Sequence, residues 1–119
     1  MWKLPLMNES ARRYLETKFS DLINYTAQDP LSPIDPITYR TPEGDSCLHI
    51  AAARGDLRAV ELLVDAGIDV NLQGDLANTP LHYARKRGYK NVAQYLISRG
   101  ASPQLVNELG EHAMEACGT

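Results

Sequence analysis

Two histidines and a cysteine carry the most versatile side-chain chemistry in this sequence. His49 and His82 could transfer protons because imidazole titrates near neutral pH. Cys47 could act as a nucleophile if the start of a helix favoured its thiolate. A nucleophile also needs a base that a third group orients, and no Cys-His-Asn arrangement can be read around Cys47. We therefore predict no catalytic residue and no enzymatic activity.

Motifs that hold cofactors or metals are missing from the sequence. It contains no GxxxxGK[ST], GxGxxG or HExxH pattern. Cys47 and Cys117 lie seventy positions apart without CxxC spacing, which argues against a metal site and a disulfide framework. We predict no cofactor and no metal, and the cysteine usage fits the reducing cytoplasm.

Length, charge and hydropathy narrow the class of protein further. A chain of 119 residues with 44% hydrophobic and 23% charged residues fits one ordinary globular domain. Its net charge of -3 argues against a nucleic-acid partner, which would require clustered Lys and Arg. The first ten residues, MWKLPLMNES, lack the apolar run of a signal peptide, so neither secretion nor membrane insertion is expected.

The sequence repeats itself with a period of 33 residues. When residues 45–77 are laid over residues 78–110, nine positions are identical, whereas composition alone would supply roughly two. The identical pairs are Leu48/Leu81, His49/His82, Ala51/Ala84, Arg54/Arg87, Gly55/Gly88, Leu63/Leu96, Gly67/Gly100, Leu72/Leu105 and Leu76/Leu109. Both histidines therefore occupy one slot of a repeating unit.

Each unit has the pattern of two short antiparallel helices followed by a loop. Thr79 can cap a helix whose first residue is Pro80, and Ser46 takes the same place in the preceding unit. Gly55 and Gly88 allow the chain to reverse after the first helix. The second helix of each unit carries a broad apolar stripe, which must be buried by other elements on both sides. The two sequences are LRAVELLVDA and NVAQYLISR.

The two units resemble ankyrin repeats, whose signature is TPLHxA in a unit of 33 residues. The segments that carry the resemblance are SCLHIAAARGDLRAVELLVDAGIDVN and NTPLHYARKRGYKNVAQYLISRGASP. The resemblance covers residues 36–117 and implies an all-α solenoid of stacked helix pairs. It also implies that His49 and His82 bond the capping hydroxyl and neighbouring backbone. Three departures are Cys47 at the motif proline, Ala77 at the usual glycine, and His112–Met114 where TPL would stand.

The predicted domain organisation is a capped array. An apolar stripe at Leu15, Phe19, Leu22, Ile23 and Thr26 predicts an N-terminal capping helix over residues 8–28. A proline-rich connector and first loop follow at 29–44, then repeat 1 at 45–77, repeat 2 at 78–110 and a truncated C-terminal cap at 111–119.

Solenoids bind partners on the concave surface that their stacked units form. The resemblance implies contacts from the loop tips before each motif and from the exposed end of each first helix. The residues in those slots are Arg40, Pro42, Glu43, Asp45, Ala53, Arg54, Gln73, Asp75, Leu76, Asn78, Lys86, Arg87, Val106, Glu108, Leu109 and Glu111. This set mixes both signs of charge, which favours a protein partner over a phosphate backbone. Leu76, Val106 and Leu109 are the apolar candidates for the centre of a contact.

Two functions remain open at this point. One is an interaction protein that masks its target, such as a cytoplasmic inhibitor or the immunity protein of a toxin. The other is a scaffold or adaptor that self-associates as a homodimer through its C-terminal end. The basic run at Arg85, Lys86, Arg87 and Lys90 fits either a solvated helix end or a contact patch.

Overall fold

A computed structural model describes residues 9–22, 24, 28, 29, 32 and 34–113. Within those ranges the elements are α1 (Glu9–Lys18), α2 (Cys47–Arg54), α3 (Leu57–Asp65), α4 (Pro80–Arg87) and α5 (Lys90–Ser98), with a single 3₁₀ turn at Asp75–Ala77. The only β-type pairing in the described part of the chain is two isolated antiparallel bridges, Arg40 with Ser46 and Val106 with His112. The predicted all-α class is confirmed.

The inner helices α2 and α4 begin and end as their sequences predict. The hydroxyls of Ser46 and Thr79 accept the backbone N–H of the residue three positions later, where a histidine side chain accepts the cap's own N–H in return. Pro80 occupies the first turn of α4, where its missing donor is not needed. Both helices end at a glycine in the left-handed region, Gly55 at φ 74° and Gly88 at φ 78°.

The helices stack in two layers. In the inner layer α2 packs on α4, in the outer layer α3 packs on α5, and each inner helix also contacts the outer helix that follows it. Four leucines at the repeated positions, Leu48, Leu63, Leu81 and Leu96, are fully buried between these helices. Burying each contributes roughly 1.5–3 kcal/mol, so the repeated leucines form the main apolar link between units.

The outer layer continues towards the N-terminus with α1, which packs on α3. Leu15 and Phe19 of the predicted apolar stripe are buried there, while Ile23 and Thr26 lie outside the described residues, as does Asn8 at the start of the predicted segment. The helix ends at Lys18, earlier than the 8–28 segment predicted, and the chain continues as turns in which the N–H of Leu22 donates to the Phe19 carbonyl. Arg54 stabilises this ending because its guanidinium donates to the free carbonyl of Lys18 at 2.9 Å.

Three tip loops, residues 40–45, 73–78 and 106–111, precede the helix starts at the same spacing. Each is closed by a backbone bond across the loop: Thr41 N–H to Asp45 O at 2.8 Å, Gly74 N–H to Asn78 O at 2.8 Å, and Asn107 N–H to Glu111 O at 3.0 Å. The third loop therefore folds like the first two. The segment after Ala113, including Met114 and Cys117 of the predicted C-terminal cap, lies outside the described residues.

Candidate binding surface

Both buried histidines hold the stack together. Nδ1 of His49 accepts the backbone N–H of Ser46 at 3.0 Å, so the ring proton resides on Nε2, which lies 2.8 Å from the carbonyl of Leu72 and 3.0 Å from that of Asn78 in the next tip loop. His82 repeats this geometry with Thr79 at 3.0 Å and the carbonyl of Glu111 at 2.9 Å. Burial lowers the pKa of both imidazoles, so they are neutral near pH 7.

Cys47 is a packing residue. Its side chain is fully buried, and burial raises its pKa to about 12, which outweighs any stabilisation of the thiolate by the helix start. A neutral, enclosed thiol is a poor nucleophile. The interpretation of Cys47 as a tolerated replacement for the motif proline agrees with this environment.

Asp45 links the first tip loop to the second repeat. Its carboxylate accepts the backbone N–H of Asp75 at 2.9 Å and the hydroxyl of Tyr83 at 2.9 and 3.1 Å. Burial and this hydrogen bond both raise the pKa of the Tyr83 phenol, so the hydroxyl remains a donor. The same ring meets the His49 imidazole edge to face, with centroids 5.8 Å apart.

The second and third tip loops are joined in a similar way. The Glu108 N–H donates to the Leu76 carbonyl at 2.8 Å, and the Asn107 side-chain amide donates to Asn78 Oδ1 at 2.8 Å. The second of these bonds is buried. The three loops are thus hydrogen-bonded to one another in series and form a continuous edge.

The middle loop is held in an unusual backbone conformation. Leu76 and Ala77 both lie in the left-handed region, at φ 55° and 61°, whereas the equivalents of Ala77 in the other loops are glycines, Gly44 and Gly110. Such a conformation costs about 1–2 kcal/mol for a residue with a Cβ. Gly74 allows the loop to approach its neighbour, because a Cβ there would collide with the Asp45 carboxylate and lie 3.0 Å from His49 Nε2.

Apolar side chains project from this edge. The exposed fractions are 45% for Leu76, 42% for Val106 and 62% for Leu109. Ile97, on the outer helix α5, is the remaining large exposed apolar residue of the described chain, at 39%. Leu76, Val106 and Leu109 lie at loop tips, where folding does not require an apolar side chain. They are therefore available for contact with another molecule.

Several charged residues from the predicted set are engaged within the molecule. Arg54 pairs with Asp21 at 2.8 Å, Lys86 pairs with Glu111 at 2.8 Å, and the Arg40 guanidinium donates to the Gly44 carbonyl at 2.7 Å. The hydrogen bond from Lys86 lowers the pKa of Glu111. Arg87 is exposed at the opposite end of α4 from the tip loops.

The structure thus divides the sixteen predicted contact residues by environment. Asn78 is buried and Asp45 half-buried, and both support the loops from beneath. The side chains that are exposed at the tips or at the end of an inner helix are Arg40, Pro42, Glu43, Gln73, Leu76, Lys86, Arg87, Val106, Glu108 and Leu109, with Arg54 also exposed but paired. Ala53, Asp75 and Glu111 are partly exposed.

Two residues that support this surface, Tyr83 and Asn107, were not predicted, and a third, Arg85, was named only as part of the basic run. Tyr83 reaches Asp45, Asn107 bridges two loops, and Arg85 Nε donates to the Ala113 carbonyl at 2.9 Å. In the sequence, Tyr83 directly follows the motif histidine, His82. This polar side chain next to a repeated position of the motif was the available signal that Tyr83 supports the surface.

The described residues show neither a metal site nor a membrane-spanning helix. They contain no group of three or more His, Cys, Asp or Glu side chains arranged to hold a metal ion. Of the helices they form, none has the length and apolar character needed to cross a bilayer.

Comparison with known proteins places the fold. A family model described as ankyrin repeats (3 copies) matches residues 15–107. The chain belongs to the ankyrin-repeat family, which confirms the resemblance seen in the sequence.

Its relatives are larger proteins. Protein phosphatase 1 regulatory subunit 27 of Homo sapiens is 41% identical over 70 residues, which cover 59% of this chain and 46% of that protein. Ankyrin repeat domain-containing protein 40 of Homo sapiens is 43% identical over 65 residues, covering 54% of this chain and 18% of that protein. Palmitoyltransferase AKR1 of Lachancea kluyveri is 38% identical over 73 residues, covering 60% of this chain and 10% of that protein. The chain spans less than half the length of each.

Proposed function

We propose that this chain is a non-catalytic protein-interaction module that binds a protein partner along its tip loops and the adjoining inner helices. The observation that carries the proposal is the row of exposed apolar side chains, Leu76, Val106 and Leu109, on loops that are hydrogen-bonded into one edge. A rigid edge loses little conformational entropy on binding, and apolar anchors flanked by charges are typical of contact centres.

The environments of the reactive residues support a non-catalytic role. Both ring nitrogens of His49 and of His82 form hydrogen bonds within the fold, and the Cys47 thiol is buried. The palmitoyltransferase matches this chain over only a tenth of its own length, so its enzymatic activity is not an argument for activity in this chain.

The relatives favour regulation by binding. One is by name a regulatory subunit of protein phosphatase 1, and so is protein phosphatase 1 regulatory subunit 12A of Mus musculus, 35% identical over 72 residues. We therefore favour a partner whose activity is controlled by occupancy of its surface. A toxin partner, a homodimer through the C-terminal end and a cytoplasmic location stay predictions, because the described residues select none of them.

Affinity capture with matched variants tests the proposal. Wild-type protein, Leu76→Ser/Leu109→Ser and Ile97→Ser would each be immobilised and incubated with lysate of the source cells. We expect a stoichiometric protein that binds wild type and Ile97→Ser and is lost from the double variant, because Ile97 is equally apolar but lies on the outer layer. Capture of the same proteins by all three, or of no stoichiometric protein, would contradict the proposal.

A second variant asks how far the surface extends along the inner helices. Leu76→Ser/Arg87→Ala combines a tip residue with an exposed cation at the far end of α4. We expect loss of the captured partner with unchanged helical content by circular dichroism. A loss of helical content would mean that one of these side chains supports the fold.

A further inference from the structure

The apolar edge of the tip loops lies among more carboxylates than cations. Glu43, Asp75 and Glu108 contribute one acidic side chain to each loop, and none of them forms an ion pair within the described ranges. The Asp75 backbone N–H is bonded to Asp45, but its own carboxylate points to no described donor.

Of the two predicted contact cations near this edge, only Lys86 is paired with a carboxylate. The Arg40 guanidinium donates to the carbonyl of Gly44 in its own loop at 2.7 Å, and Lys86 is paired with Glu111 at 2.8 Å. Arg87 is the last residue of α4 and Lys90 is the first residue of α5, and neither forms an ion pair within the described ranges. Two exposed leucines and a valine thus share the edge with an excess of negative charge.

We infer that the tip loops accept a cationic amphipathic segment of a partner protein, in which Lys or Arg side chains adjoin apolar ones. This inference rests on the proposed function and adds the chemistry of the partner. The apolar side chains would pack on Leu76, Val106 and Leu109, while the cations would pair with Glu43, Asp75 and Glu108.

The spacing of the loops sets the pattern that such a segment needs. Stacked units lie about 10 Å apart, the usual distance between packed helices. A helix advances that far in about seven residues, so a helical segment that meets successive loops repeats its apolar and cationic residues at about that interval. An acidic or unpatterned segment would gain neither set of contacts.

Designed peptides test this chemistry directly. Three labelled 18-residue peptides would be used: lysine and leucine with the leucines on one helical face, the same pattern with glutamate for lysine, and the lysine–leucine composition in shuffled order. We expect the patterned lysine peptide to bind most tightly by fluorescence anisotropy at 150 mM NaCl, and to weaken at 500 mM because exposed charges are screened. Equal binding of the glutamate peptide, or no binding of the lysine peptide, would overturn the inference.

Charge-matched variants separate the edge from the net charge of the protein. Glu43→Gln/Asp75→Asn/Glu108→Gln removes the three edge carboxylates, and Glu16→Gln/Glu61→Gln/Asp65→Asn removes three exposed or partly exposed ones from α1 and α3. We expect the edge variant to weaken binding about tenfold or more and the control by less than about threefold, since three surface pairs contribute modestly each. Equal weakening by both would overturn the inference.

The two proposals fail separately. Capture that depends on Leu76 and Leu109, without preference for the patterned lysine peptide, overturns the charge assignment and leaves the binding module intact. Loss of tip-dependent capture overturns the proposed function itself.

Discussion

The Tyr83 hydroxyl, on the inner helix of the second repeat, donates to the Asp45 carboxylate, in the tip loop of the first, at 2.9 Å. This bond ties the position of a loop to the packing of the neighbouring helix. A hydrogen bond to a charged acceptor contributes about 1.5–3 kcal/mol when partly buried, so the loop edge depends on it.

Removing the Tyr83 hydroxyl should weaken the contact between the first and second repeats. We expect Tyr83→Phe to lower the free energy of unfolding by about 1.5–3 kcal/mol, measured by urea denaturation. Tyr89→Phe is the matched control, because the Tyr89 hydroxyl has no protein partner in the described ranges, and it should change stability by less than about 0.5 kcal/mol. Equal losses would show that the bond to Asp45 is not stabilising.

The buried histidines should make stability depend on pH. Burial lowers their pKa in the folded state, so below about pH 6.5 the unfolded chain binds more protons. The histidine contribution is fully present above that pH and is lost as the pH falls through it towards the folded-state pKa values. We expect the melting temperature to fall between pH 7 and pH 5. A flat profile would contradict the neutral, bonded state of His49 and His82.

The middle loop should be improvable. Ala77 adopts φ 61°, which favours glycine, and the corresponding residue of the third loop is Gly110 at φ 81°. We expect Ala77→Gly to raise the free energy of unfolding by about 0.5–1 kcal/mol and Gly110→Ala to lower it by about 1 kcal/mol. An added Cβ at Gly110 meets open space, so its cost would come from the backbone alone. A decrease for Ala77→Gly in thermal denaturation would contradict the left-handed assignment.

Arg54 and Arg87 share a slot of the repeat and differ in role. Arg54 donates to the Lys18 carbonyl and pairs with Asp21, whereas Arg87 has no described partner. We expect Arg54→Ala to increase amide hydrogen exchange across residues 9–22 by several-fold, because exposed pairs contribute up to about 1 kcal/mol. Arg87→Ala should leave exchange in that segment unchanged. Similar exchange in both variants would remove Arg54 from the attachment of α1.

The sequence was sufficient for the features that depend on local chemistry. The capping of α2 and α4 by Ser46 and Thr79, the helix ends at Gly55 and Gly88, and the exposure of Leu76 and Leu109 all follow from residue type and a 33-residue period. Each is decided within a few residues of the chain.

Features that depend on neighbours in space could not be read in the same way. Tyr83 meets Asp45 across 38 positions, and its equivalent in the first repeat is Ile50, so repetition gave no guide. Leu76 adopts φ 55°, against the preference of leucine, and its carbonyl accepts the Glu108 N–H of the next loop. Arg54 differs from its counterpart because the preceding element is α1 and not another repeat.

Each buried histidine serves two repeats at once, since it caps its own helix and donates to a carbonyl of the loop that follows. If one repeat unfolded alone, a backbone carbonyl of the adjacent repeat would lose its hydrogen-bond donor. The buried leucines of that repeat would also become exposed to solvent. Each interface between repeats therefore raises the free energy of partly unfolded forms. The array should unfold as a single cooperative unit, although its sequence motifs are separate.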